Sequence, residues 1–279
     1  MSSTRRALGQ PIHPAAVAAS LVVLAALTAL LGSTPAAASE RRFTYTYESL
    51  VLNPGQIEVE PWTTFRGGRE ELYLRFDQRI ELEIGVLENL QMAWYLNATA
   101  KTAAAGPELK EEFEFGGISN EWKWKLMDPV ADALGLALYG EWTVAPHEAE
   151  LEAKLIADKR FGDLLVAANL VGEAEWELES ADEVATELVV AVNAGIAYLI
   201  TPSFALGLEL SEKNELSLEG FEHAVVSAGP TLSYASERWW MALTVMPQIA
   251  DLAALGSDSL QDLEGHERIQ TRLLLGLHL

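Results

Sequence analysis

Residues 70–86 read Glu-Glu-Leu-Tyr-Leu-Arg-Phe-Asp-Gln-Arg-Ile-Glu-Leu-Glu-Ile-Gly-Val, and their order decides the fold. Leu72, Leu74, Phe76, Ile80, Leu82 and Ile84 take the even positions, and Glu71, Tyr73, Arg75, Asp77, Arg79, Glu81 and Glu83 take the odd ones. A helical period would mix these sets. A period of two separates them, because successive side chains of a strand point to opposite faces. The alternation outlasts the ~5–6 residues usual for strands in soluble sheets. One apolar face and one charged face over that length fit a barrel wall with lipid outside and water inside.

The same pattern recurs along the chain. It predicts an all-β protein, a single antiparallel transmembrane β-barrel of about 12 strands, near 56–66, 70–86, 90–101, 110–126, 134–144, 147–158, 163–177, 186–199, 203–212, 219–234, 238–249 and 267–279. In 90–101, Met92, Trp94 and Leu96 oppose Gln91, Tyr95 and Asn97; in the last segment Ile269, Leu273, Leu275 and Leu277 oppose Gln270, Arg272 and His278. At Gly116-Gly117 the parity slips from Phe113 and Phe115 to Trp122, Trp124 and Leu126, as a β-bulge would produce. The links after strands 2, 6, 8 and 10 are short and turn-like, and the link after strand 4, through Asp128-Pro129, is somewhat longer. Those after strands 3, 7, 9 and 11 read as longer loops, with 251–266 the longest, while those after strands 1 and 5 are short exceptions. Such alternation suits periplasmic turns and extracellular loops. Phe43 to Leu52 also alternates, and Asn53-Pro54-Gly55 could turn a hairpin, which would raise the strand count.

A soluble β-sandwich would alternate too, with shorter strands. A lipocalin-like barrel would turn its apolar residues inward, but eight strands already close a small barrel, and this chain has material for about twelve.

The N-terminus carries Arg5 and Arg6, then a nearly pure Ala, Val and Leu run from Ala15 to Leu31, then Thr34-Pro35 and Ala36-Ala37-Ala38. This is the three-part anatomy of a secretory signal, cleaved before Ser39; the rival reading is a retained anchor. The expected organisation is a signal peptide over 1–38, a periplasmic N-terminal segment over 39–54 and the barrel over 55–279, exported to the outer membrane of a Gram-negative bacterium. Its expected partners are outer-membrane lipid and lipopolysaccharide, the barrel-assembly machinery during biogenesis, and small solutes or cations. With 41 Asp and Glu against 19 Lys and Arg, the formal charge of −22 excludes a nucleic-acid surface. The chain lacks cysteine, so no disulfide holds the fold.

The run Asn53-Pro54-Gly55-Gln56-Ile57-Glu58-Val59-Glu60, followed by Arg79 to Val86 and Leu90 to Asn97, resembles the opening hairpins of bacterial outer-membrane transport barrels. It is similar to those of the MetA-pathway phenol-degradation group. Gly135 to Glu141, Glu152-Ala153-Lys154-Leu155, Ala167 to Leu170, Gly195 to Tyr198, Gly207-Leu208-Glu209 and Gly229-Pro230 continue that layout. The resemblance implies the architecture and a transport role, without a substrate. The chain departs from the style of such barrels in ending on Leu279 rather than an aromatic residue.

No catalytic, cofactor-binding or metal site is expected. His147 and Glu148 are neighbours on a strand and point apart. His223 and Ser227 share a strand face, but at roughly 3.3 Å per residue they stand too far apart for a hydrogen bond. The informative residues are the charges on inward positions: Glu71, Arg75, Asp77, Arg79, Glu81, Glu83, Lys123, Glu141, Glu152, Lys154, Glu173, Glu175, Glu209 and Arg272, expected to line the lumen, with Glu121 and Lys125 beside them. Two readings follow: a narrow, cation-preferring, porin-like channel, or a charge-packed interior that conducts little and acts through its loops. Loop acids including Glu177, Asp182, Asp258, Asp262 and Glu264 either hold divalent ions or keep the loops solvated. The eight Trp are expected on outward positions and strand ends as interfacial girdles.

Overall fold

The computed structural model describes residues 40–279 apart from 107, 181–182, 218–219 and 254–259. The signal peptide expected over 1–38 lies outside the described residues. The strands are β1 (Ile57–Gly67), β2 (Tyr73–Leu87), β3 (Leu90–Ala105), β4 (Glu108–Met127), β5 (Gly135–Val144) and β6 (Glu148–Phe161). There follow β7 (Leu164–Ser180), β8 (Glu183–Thr201), β9 (Phe204–Ser217), β10 (Gly220–Ala235), β11 (Trp239–Asp251) and β12 (Ile269–His278). Each pairs antiparallel with its sequence neighbours, and β1 pairs with β12, closing a twelve-stranded barrel.

The parity read in 70–86 holds in β2. Leu74, Phe76, Ile80 and Leu82 are exposed on the outside, while Glu81 and Glu83 are buried inside. Around the wall Trp94, Leu138, Leu155, Leu170, Val190 and Leu208 are likewise outward and exposed. A sandwich or an inward-apolar barrel would bury these side chains, so both alternatives fail on this face. Six of the Trp are outward as expected, but Trp62 and Trp240 point inward and are buried. The register shift expected at Gly116-Gly117 is present: Leu96 pairs with Ile118 and Ala98 with Phe115, so β4 carries one extra residue, with Gly117 at φ 88°.

The links divide the barrel into two ends. Residues 88–89, 162–163, 202–203 and 236–238 close one end with short turns, and 128–134 forms its longer link. At the other end the long loops expected after β3, β7 and β9 are absorbed into the strands, which run on as paired arms until only two residues separate them. The arms continue the hydrogen-bonded ladder, which satisfies their backbone groups, and Lys101 pairs with Glu112 across β3 and β4. The β11–β12 connection, 252–268, stays the longest. β2 begins three residues later than expected, after Gly68 at φ 87° extends the turn from β1.

Of the 39–54 segment, expected outside the barrel, residues 41–52 lie inside it. Phe43, Thr44, Thr46, Ser49 and Leu52 are at most 1% exposed. The turn at Asn53-Pro54-Gly55 exists, with Gln56 N–H donating to the Asn53 carbonyl at 3.0 Å and Gly55 at φ 81°. Pro at the second position and a left-handed Gly at the third make it type II. It leads the chain out of the lumen into β1, and Phe43 to Leu52 joins no ladder and adds no strand.

Candidate functional site: the filled lumen and its vestibule

An irregular segment inside a barrel must find partners for each backbone group, since neither water nor a neighbouring strand supplies them. Side chains of the wall do so here. The Glu209 carboxylate on β9 accepts the N–H groups of Thr44 at 2.8 Å, Tyr45 at 2.8 Å and Thr46 at 2.9 Å, and the Thr244 hydroxyl also donates to it. Successive amides converging on one anion form a nest. On β7, Asn169 accepts Tyr47 N–H at 2.6 Å and donates to the Tyr47 carbonyl at 2.9 Å, as a neighbouring strand would. Asp158 accepts Ser49 N–H at 3.1 Å, and Gln91 accepts Leu52 N–H at 3.0 Å. Arg42 N–H donates to Glu48 at 2.7 Å, tying the segment to itself.

Small inward residues leave the room. A Cβ on Gly195 would stand 2.6 Å from the Phe43 ring, one on Gly135 2.3 Å from Ser49 Oγ, and one on Gly85 2.0 Å from the Asn53 carbonyl oxygen. Cations and rings then seal the upper surface of the segment. Arg272 lies 4.0 Å from the Tyr45 ring, Arg41 4.0 Å from Tyr47, and Arg79 4.1 Å from Tyr95. Lys154 sits between Tyr47 at 4.2 Å and Tyr139 at 4.0 Å. Such contacts strengthen where water is excluded.

Above this layer, toward the long-armed end, a cavity of about 590 Å³ remains. Arg66, Arg75, Arg79 and Arg272 face it from β1, β2 and β12, and Glu148, Glu150 and Glu177 from β6 and β7. In a closed ring of twelve strands β1 and β7 are diametrically opposite, so the vestibule has a basic wall facing an acidic one. Asp77 pairs with Arg66 at 2.9 Å and Arg75 at 2.6 Å, and Glu141 pairs with Arg79 at 2.5 Å. Arg272 donates only to the Thr64 hydroxyl and the Thr44 carbonyl, with no carboxylate in ion-pair reach among the described residues.

The residues expected in the lumen therefore divide by depth. Arg75, Asp77, Arg79, Glu141 and Arg272 line the vestibule. Glu152 pairs with Lys154 at 2.9 Å, and across the β6–β7 ladder Glu173 opposes Glu152 while Glu175 opposes Glu150. Glu81, Glu83 and Lys123 are buried in the short-turn half with Glu58, Glu60 and Glu121. Glu209 holds the inner segment rather than lining open water. Glu71 is the exception: it lies exposed in the β1–β2 link, because β2 begins only at Tyr73. Asn169, Asp158 and Thr244 are absent from the expected set, and Gln91 is expected on the inner face but without a role. For Asn169 the signal is a lone polar residue in an otherwise small or apolar inward row, among Leu165, Ala167 and Val171. His223 does not meet Ser227; it turns to Asp262 instead. Of the loop acids, Asp182 and Asp258 lie outside the described residues.

A family model described as "Family of unknown function (DUF6662)" matches residues 35–279. No curated protein matches the chain. Among solved structures, a NanC porin aligns with a TM-score of 0.52 at 8% identity, over 79% of this chain and 100% of that one. The beta domain of the Bordetella autotransporter BrkA aligns with a TM-score of 0.50 at 10% identity, over 81% of this chain and 100% of that one. At these identities the likeness concerns the fold.

Proposed function

The chain belongs to the DUF6662 family of unknown function, and from that premise we propose that it is a gated, porin-like outer-membrane barrel for ions or small polar solutes. The observation that carries the reading is the inner segment itself. It is held by hydrogen bonds from side chains, not by a strand ladder, and it lies beneath a charged vestibule that reaches the long-armed end. Because the segment is fastened by side chains and joins no strand ladder, its displacement would leave the pairing of the wall intact. The exposed apolar outer face supports insertion in a bilayer, the signal-like N-terminus supports export, and the name of the NanC porin supports passage. The resemblance to transport barrels of the MetA-pathway phenol-degradation group points the same way.

The facing walls refine the expectation of an acidic lumen. Arginines on one side and glutamates on the other set a field across the vestibule, which favours solutes carrying both charges over simple cations. The test is planar-bilayer conductance of the refolded mature chain against a variant lacking residues 40–53, each first shown to be heat-modifiable on a gel. The full chain should be silent or flicker rarely, and the variant should give steady steps. Equal, steady conductance in both would remove the gate from this proposal. Silence in both would select the second reading, a closed barrel acting through its long-armed end, which the filled lumen also favours.

A further inference from the structure

Two hairpin arms and the longest connection meet at the long-armed end. His223 comes from β10, Glu215 from β9, and Asp262 and His266 from the 252–268 connection. Asp262 Oδ2 lies 3.0 Å from His223 Nδ1 and 2.9 Å from His266 Nδ1, and the three donor atoms all lie within 4.8 Å of one another. We propose that His223, Asp262 and His266 form a site for a borderline divalent transition metal, with Zn²⁺ as its reference ion.

The geometry is close to that of a bound site. Ligand atoms ~2.1 Å from a tetrahedral zinc stand roughly 3.4 Å apart, so a modest parting of these atoms admits the ion. The carboxylate is already oriented: Asp262 Oδ1 accepts Glu264 N–H at 3.1 Å and Gly265 N–H at 3.0 Å, which leaves Oδ2 for the two imidazoles. A Cβ on Gly265 would stand 2.8 Å from Oδ2, so a side chain there would crowd the position. Beyond the ligands, His266 Nε2 lies 3.3 Å from Glu215, and Glu215 pairs with Lys213 at 2.8 Å. That is the carboxylate–histidine–metal relay by which an outer carboxylate fixes the tautomer of a ligand. In the metal-free chain the imidazoles can reach Oδ2 only by donating from Nδ1. The metal replaces those protons, releasing them to solvent, while Nε2–H of His266 continues to donate to Glu215. Two nitrogens and one oxygen favour Zn²⁺, Co²⁺ or Ni²⁺ over Ca²⁺ or Mg²⁺, which need an oxygen shell. The half-exposed His223 leaves the fourth position accessible from the barrel mouth.

The test is calorimetric titration of the full mature chain, refolded in detergent, with Zn²⁺, together with Co²⁺ titration read by visible absorption. One equivalent should bind, with the intense bands of four-coordinate Co²⁺ and release of protons to the buffer. His223→Ala with His266→Ala should abolish binding, Glu215→Gln should weaken it roughly 10–100-fold, and His147→Ala should leave it unchanged. Heat-modifiable mobility verifies that each variant is a barrel. No saturable uptake by the full chain, uptake unaltered in the double variant, or equal displacement by Ca²⁺ would each overturn the site.

Discussion

Glu209 takes the amides of Thr44, Tyr45 and Thr46 at 2.8–2.9 Å, three N–H groups that a strand would have given to its neighbour. Each buried donor left without a partner costs about 1–3 kcal/mol, so Glu209→Ala removes the anchor of the inner segment and leaves the wall ladder intact. Amide exchange of 43–47 should rise sharply in that variant while heat-modifiable mobility is kept. Glu209→Gln, which preserves an acceptor, should fall between. Continued protection of 43–47 in the alanine variant would mean that Asn169, Asp158 and Gln91 hold the segment without it. Gly195 acts through space rather than hydrogen bonding, since a Cβ there would meet three atoms of the Phe43 ring between 2.6 and 2.9 Å. Gly195→Leu should expel Phe43, seen as a gain in protease cutting at Arg41 or Arg42; an uncut segment would show that Phe43 has another seat.

At the scale of elements, the 252–268 connection is fastened to β9 and β10 by charge. Burial lowers the His266 pKa, but hydrogen bonds to Glu215 and Asp262 and the attraction of both carboxylates outweigh it, so the imidazolium is held above its ordinary value. Asp262 is pushed up by burial and pulled below the usual carboxylate range by His266, the Gly265 amide and His223. Lys213 faces the same group through Glu215. A raised histidine contributes stability fully present below its unfolded value of about 6.5 and lost as pH rises through the folded one. The depressed Asp262 contributes stability present above its unfolded value and lost only as pH falls below that range. The metal-free connection should therefore be best protected between mildly acid and neutral pH and should loosen on the alkaline side. Exchange of its amides, corrected for intrinsic rate, is the measurement; protection independent of pH from 5 to about 9 would refute the clamp.

For the whole molecule, the outer face sets the environment and the closed ring sets the site. Leu155 is outward and exposed near the middle of β6, where a charge would face hydrocarbon. Leu155→Arg should destabilise insertion by about 2–4 kcal/mol at bilayer mid-depth and by far less near an interface. Denaturant titration in lipid vesicles measures this, and a value near zero would argue that this face meets water. Neutralising the inward Glu150 should barely change that stability, because Glu150 faces the vestibule cavity rather than hydrocarbon.

The amino-acid order by itself determined the strands, their parity, the outward face and the bulge at Gly116-Gly117. Each is written in a period of two that any local stretch displays. It also placed Arg75, Asp77, Arg79, Glu141 and Arg272 on the inner side, since parity decides the face of every strand residue. It did not reveal that 41–52 fills the lumen, because alternation reads alike whether a segment pairs with a strand or is held by side chains. Nor could it join Thr44 to Glu209, 165 residues apart, or His266 to Glu215, 51 apart. Closure of the ring encloses 41–52, so that Thr44 reaches Glu209, and places the basic wall opposite the acidic one, while the fold of the 252–268 connection over the β9–β10 hairpin brings Asp262 and His266 to His223 and Glu215. Contacts across a lumen depend on which strands end up opposite, and that is a property of the closed sheet rather than of any one strand.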